Sequence, residues 1–245
     1  MEQKITAVIL AGGFGTRVKH LLPNIPKPMV MVLNKPFLEW IIRYLHQQNI
    51  NHFLLSTGYL SEVIETYFNE KTLDKLTIKC YEETEPLGTG GGFINAVNQA
   101  NSNSDYWLVA NGDSLIFTDL KPFFDCLNDD EIEGAILGLT VEDASRYGSL
   151  KFDENCNLVS FSEKQDGKGV INGGVYLFKN SILNKFPSQK SLSFEYDIFP
   201  YLLDQGCKIK VNTTSAPFLD IGTPETLAQA EKFINLNYQD FNLLN

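Results

Sequence analysis

The segment Leu10-Ala11-Gly12-Gly13-Phe14-Gly15-Thr16-Arg17, entered through the apolar run Ile5-Thr6-Ala7-Val8-Ile9-Leu10, constrains the fold more than any other. The run is short, rich in β-branched residues and largely apolar, as suits a strand of a parallel sheet buried on both faces. The glycines therefore fall at the carboxyl end of a first strand, where open α/β sheets place their ligands. Gly12, Gly13 and Gly15 let the backbone approach an anion closely, so that successive N–H groups can face phosphate oxygens. Arg17 and, after a short insert, Lys27 of Pro26-Lys27-Pro28 would add full positive charges. Taken alone, Gly-Gly-x-Gly also suits a bare turn.

Two commoner phosphate loops are excluded by spacing. A dinucleotide fingerprint after Gly13-Phe14-Gly15 needs a third glycine where Val18 stands, and Gly-x-x-x-x-Gly-Lys-Ser/Thr occurs nowhere in the chain.

Beyond this loop, strands alternate with helices in the rhythm of a doubly wound, mostly parallel sheet covered on both faces. Helical spacing runs from Pro36 to Gln48, a strand from Phe53 to Thr57, a helix from Ser61 to Asn69 and a strand from Thr77 to Tyr81. A helix over about Phe93 to Ala100 leads into the buried strand Tyr106 to Ala110, then a helix over Leu120 to Leu127 and a strand over Gly134 to Leu139. After Arg146 the rhythm changes: Ser149 to Phe152 and Leu158 to Phe161 flank a turn-rich stretch, predicting an antiparallel hairpin in a smaller lobe. Ile171 to Phe178 reads as a strand interrupted by Gly173-Gly174, and Thr223-Pro224-Glu225 as a helix start. We read residues 1–245 as one continuous domain.

The balance of 20 basic and 30 acidic residues, a net charge of −10, argues against nucleic acid or an anionic membrane as partner. It also means that a site for phosphorylated ligands must be locally positive or supplied with a metal. No apolar run approaches a membrane span and the first strand begins almost at once, which predicts a cytoplasmic protein. Cys80, Cys126, Cys156 and Cys207 are scattered without Cys-x-x-Cys spacing, so neither a zinc site nor a disulfide framework is indicated. Whether copies of the chain associate into a homo-oligomer is left open.

Asp113 follows the strand Tyr106 to Ala110 through Asn111-Gly112, and Asp220 ends the apolar pair Phe218-Leu219. Both fall where strands end, and such ends gather in one crevice of a doubly wound sheet. Two carboxylates there would repel one another, and a magnesium ion satisfied by carboxylate and phosphate oxygens would remove the conflict. A turn aspartate and a cap-like acceptor are the competing readings.

The Gly-Gly-x-Gly-Thr-Arg and Pro-Lys-Pro arrangement resembles the signature of sugar-1-phosphate nucleotidylyltransferases, and the likeness runs from Val8 to the helix after Pro224. Within that family it is most similar to the D-glycero-α-D-manno-heptose 1-phosphate guanylyltransferases, through Pro26-Lys27-Pro28-Met29, Ser145-Arg146-Tyr147-Gly148-Ser149 and Ile171-Asn172-Gly173-Gly174. Val18 replaces a more usual Leu, Gly92 lengthens the glycine run after Thr89, and Ser114 stands where Thr is common. The resemblance implies a Rossmann-like fold of the GT-A nucleotidyltransferase type with an antiparallel sugar-binding lobe, without an appended β-helix. It implies magnesium on Asp113 and Asp220, and nucleotide binding by Leu10, Ala11, Gly12, Gly13, Gly15, Thr16, Arg17, Glu85, Gly88, Thr89 and Asn111. It places a sugar phosphate with Tyr147, Gly148, Glu163, Lys164, Asn172 and Gly173. Arg17, Lys27, Asp113 and Lys164 are then the catalytic residues.

The expected reaction joins a nucleoside triphosphate, GTP by resemblance, to a sugar 1-phosphate with release of pyrophosphate. Uridylyl, thymidylyl or cytidylyl transfer to another sugar, or a nucleotide-sugar sensor without chemistry, are the alternatives. A glycosyltransferase is disfavoured because its Asp-x-Asp metal motif is missing at Asp113-Ser114-Leu115.

Overall fold

The computed structural model describes residues 4–70, 73, 75–145, 147–162 and 167–237. Its first half contains β1 (Ile5–Ala11), β2 (Met31–Val32), β3 (Lys35–Pro36), α1 (Phe37–Gln47), β4 (His52–Thr57), α2 (Ser61–Glu70), β5 (Thr77–Glu82), α3 (Gly88–Ala100), β6 (Tyr106–Asn111), β7 (Ser114–Ile116) and α4 (Lys121–Asp125). Then follow β8 (Ile132–Val141), β9 (Ser149–Phe152), β10 (Leu158–Ser162), β11 (Gly169–Lys179), α5 (Phe199–Asp204), β12 (Lys208–Thr214), β13 (Phe218–Asp220), α6 (Pro224–Leu227) and α7 (Ala230–Asn237).

The main sheet runs β10-β9-β11-β6-β1-β4-β5, with β8 beside β11 and β12 beside β8. β5, β4, β1 and β6 are all parallel. β11 reverses direction against β6, and β9 and β10 form the expected antiparallel hairpin. β1 lies between β4 and β6, so the chain departs to one side of it and later returns on the other. That reversal opens a crevice above the carboxyl end of β1, where the glycine loop begins.

Alternation along the strands fills both faces. Ala7, Ile9 and Ala11 of β1 join a core with Phe37, Ile41 and Leu45 of α1, whereas Val8 joins a second core with Phe93 of α3 and Phe199 and Leu202 of α5. The sheet is thus doubly wound, as its apolar strands require. Among the described residues no helix is long and apolar enough to cross a membrane.

Two expectations are corrected. Asp220 does not arrive on a strand of the main sheet: β13 pairs antiparallel with β7 in a separate two-stranded ribbon. The helix expected from Phe93 begins at Gly88, because its first turns pack against the chain at residues 190–192. Gly90 and Gly91 both donate to the Leu192 carbonyl, at 2.8 and 3.1 Å. A Cβ on Gly91 would lie 2.4 Å from the Lys190 carbonyl oxygen, so close approach explains glycines that helix propensity disfavours. Gly91→Ala should therefore cost about 1–3 kcal/mol by overpacking, a fall in Tm of roughly 2–10 °C for a chain of this size. A thermal melt unchanged by the substitution would refute this packing account.

Candidate active site

The crevice above β1 holds a cavity of about 550 Å³ bounded by Leu10, Ala11, Gly12 and Gly13 from the glycine loop, Gly58 and Tyr59 after β4, residues 82–86 with Gly88 and Thr89, and Lys27, Asn111 and Asp113. A second cavity, about 880 Å³, lies toward the hairpin and is bounded by Tyr147, Gly148, Asn172, Gly173, Glu195 and Asp220 among others. Asn111, the last residue of β6, borders both. The strands that end here explain the arrangement: β1, β4 and β6 point their carboxyl ends at the first cavity, and β11 runs antiparallel past the second.

The junction is charged. The Lys27 ammonium pairs with the Asp113 carboxylate, the two side chains being 14% and 32% exposed. Gly15, at φ +56, makes room for Lys27: a Cβ there would sit 3.1 Å from that of the lysine. Asp113 and Asp220 are brought side by side by the ribbon, in which Asp220 pairs with Ser114 and the Ile221 N–H donates to the Asp113 carbonyl at 2.9 Å. Burial, and next the charge of Asp113, push the Asp220 carboxyl above the usual carboxylate range, while Lys27, the Gly222 N–H and Arg17 pull it back. The Gly222 N–H donates to Asp220 Oδ1 at 2.6 Å. Two hard oxygen donors so placed, one of them carrying the cost of the other's charge, are chemically suited to a divalent cation. Among the described residues no third His, Cys, Asp or Glu joins them to make an all-protein metal cluster. Phosphate oxygens and water would have to complete such a coordination shell.

The anticipated residues do not all fall together. Gly15, Thr16 and Arg17 lie outside the lining of the first cavity, and Arg17 is exposed, though its charge reaches Asp220. Glu85 stands on the exposed rim, 3.4 Å from the Lys190 ammonium. Tyr147 packs edge-on to Phe218, with ring centroids 6.1 Å apart. Glu163 and Lys164 lie outside the described residues.

Other residues were not anticipated. Glu83 accepts from Ser56 Oγ at 2.8 Å and from the Leu87 N–H at 3.2 Å, which ties the 83–88 loop to β4. Phe14 and Tyr59 face each other at 5.6 Å, and the Lys19 ammonium lies 4.5 Å from the Tyr59 ring. Tyr59 was findable, since it follows a parallel strand next to β1. Glu195 bounds the second cavity, and its only local signal is the capping serine, Ser193.

Comparison with known proteins gives consistent findings. Residues 6–236 match the model of the nucleotidyl transferase family. A D-glycero-alpha-D-manno-heptose 1-phosphate guanylyltransferase from Campylobacter jejuni is 40% identical over 222 residues, covering 89% of this chain and 95% of the relative. An enzyme of the same name from Aneurinibacillus thermoaerophilus is 34% identical over 227 residues, covering 92% and 96%. The crystal structure of HddC from Yersinia pseudotuberculosis complexed with GMP-PN superposes with a TM-score of 0.81 at 34% identity, covering 94% of this chain and 98% of that one.

Proposed function

The chain belongs to the nucleotidyl transferase family, and on that footing we propose that it transfers a guanylyl group from GTP to D-glycero-α-D-manno-heptose 1-phosphate, forming a nucleotide sugar and pyrophosphate. The observation that carries the reading is the pair of adjoining cavities meeting at Asn111, with Lys27, Asp113 and Asp220 at their junction. The identity of base and sugar is supported by the names of the relatives.

In this mechanism an oxygen of the sugar phosphate forms a new bond to the α-phosphorus. The bond from the α-phosphorus to the α,β-bridging oxygen breaks, and pyrophosphate leaves with the electron pair. Both reactants are anionic, so the protein's work is positioning and charge stabilisation. The amides of Gly12 and Gly13, with Arg17, hold the triphosphate; Gly88 and Thr89 flank the base, with Glu85 at the rim. Lys27 turns from Asp113 to the charge growing at the α-phosphate. Tyr147, Gly148, Asn172 and Gly173 line the sugar side, and the resemblance assigns the sugar hydroxyls to Glu163 and the phosphate to Lys164. Asp113 and Asp220 would hold magnesium, which supplies neutralisation of phosphate charge when bound. We also read the chain as one nucleotidylyltransferase domain, supported by a nine-stranded main sheet whose strands border both cavities. A cytoplasmic setting is consistent with cysteines that are all free.

The test is pyrophosphate release from a matrix of GTP, UTP, dTTP and CTP against heptose, mannose and glucose 1-phosphates with magnesium. GTP with the manno-configured heptose should give the highest kcat/KM. Discrimination against pyrimidines should be large, because a pocket built for the guanine edge leaves its own polar groups unpaired with another base. A preference for UTP or dTTP would overturn the guanylyl assignment and leave nucleotidyl transfer standing. No pyrophosphate from any pair would sink transfer itself and favour a sensor.

A further inference from the structure

One wall of the second cavity carries a hydrogen-bond network whose proton positions are fully determined by its chemistry. Asn172 Nδ2 donates to the Tyr176 hydroxyl at 2.8 Å and to Glu195 Oε1 at 3.2 Å, which uses both amide hydrogens. Its Oδ1 accepts from the Gly174 N–H at 2.9 Å. The Tyr176 hydroxyl, having accepted from Asn172, donates to Glu195 Oε1 at 2.9 Å, and Ser193 Oγ donates to Glu195 Oε2 at 2.8 Å. Tyr176 keeps its proton, since burial and then the Glu195 charge hold the phenol well above its ordinary range.

The remaining valences are countable. An ionised carboxylate accepts about four hydrogen bonds, and Glu195 has received those from Tyr176, Asn172 and Ser193. An acceptor site is left on Oε2, and another on Asn172 Oδ1, on side chains that both border the cavity. No donor is left on either group. Glu195 is carried by a π-helical turn, Phe194–Ile198, whose cap Ser193 accepts from the N–H groups of Glu195 and Tyr196. Such turns break helical spacing and recur at functional sites. The same turn is tied to the nucleotide side, where the Phe194 N–H donates to Thr89 Oγ1 at 3.0 Å.

We propose that Glu195, with Asn172 oriented by it, is a specificity-determining residue that reads a sugar hydroxyl as a hydrogen-bond donor. The inference rests on the sugar-1-phosphate reading given above and adds the residue and the polarity of recognition. Glu195→Gln keeps the shape and leaves Oε1 for Tyr176 and Asn172, but replaces Oε2, which accepts from Ser193 Oγ and offers the open acceptor site, with an amide donor. Glu195→Ala removes the group altogether.

The experiment compares the parent protein, Glu195→Gln and Glu195→Ala, using GTP and mannose 1-phosphate or each of its monodeoxy analogues, alongside thermal melts. Glu195→Gln should raise KM for the sugar phosphate about tenfold to a hundredfold while leaving KM for GTP and the melt near those of the parent. One deoxy analogue should be poor for the parent yet no worse than the full sugar for either variant, the non-additivity expected of two groups in contact. If Glu195→Ala does not fold, Glu195→Gln alone still gives this comparison. Unchanged sugar kinetics, or a variant as sensitive as the parent to every deoxy analogue, would overturn the assignment of Glu195 while leaving nucleotidyl transfer intact. A parent protein that turns over neither mannose 1-phosphate nor the manno-configured heptose 1-phosphate would instead remove the functional reading beneath it.

Discussion

Lys27→Ala is expected to lower kcat/KM by on the order of a hundredfold or more and to leave the melting temperature nearly unchanged. In the ligand-free protein the ammonium is spent on Asp113, a pair that is partly screened and so contributes little to folding. Its value is for a moment when triphosphate and sugar phosphate lie together and negative charge grows on the transferring group. A point charge on a flexible stem can then turn from the carboxylate to the phosphate, and Gly15 leaves space for that stem. Alanine removes the charge where no other described lysine or arginine borders the first cavity. Arg17→Ala should be comparably damaging, because it weakens the positive field that already reaches Asp220. Steady-state kinetics with melts of both variants decide the matter: turnover near that of the parent in both would reject the phosphate-loop assignment.

What could be read from the sequence was local. β1 and its glycine loop were legible because an apolar β-branched run followed by glycines carries its meaning within a dozen neighbours. The hairpin of β9 and β10 and the capped start of α6 at Thr223 were legible for the same reason. The features that failed depend on tertiary partners. The helix is expected only from about Phe93, since glycine disfavours helix, and only the chain at Lys190–Leu192 shows why the small residues from Gly88 on are needed there. Glu85 entered the nucleotide site through the resemblance, yet Glu83 is the carboxylate turned inward onto Ser56 and Leu87. Glu195 escaped because a π turn has no period that a helical or strand template detects. The meeting of Asp113 and Asp220 was inferred from strand ends gathering in one sheet, but it comes about through a ribbon of two three-residue strands outside that sheet.

That ribbon sets up a conflict between stability and function, and Asp220→Asn should expose it. In the parent protein Asp220 bears burial and the neighbouring charge of Asp113, both of which oppose its ionisation. An amide relieves that conflict while keeping an oxygen for the Gly222 N–H. The melt in the absence of ligand should therefore hold steady or rise, as happens when a functional charge is removed from an unfavourable place. Activity should nonetheless fall by at least about a hundredfold, since an amide oxygen lacks the charge needed to hold a hard cation against water. Asp113→Asn should lose activity similarly, with a smaller thermal gain, because it relieves the same repulsion but also gives up the modest pair with Lys27. A melt that holds or rises while activity falls separates a metal-binding role from a packing role: a packing aspartate would lose stability first and activity as a result. Titration calorimetry with magnesium and a non-hydrolysable GTP analogue completes the comparison. Asp220→Asn binding both as tightly as the parent, and turning over at the parental rate, would show that the two aspartates share no cation.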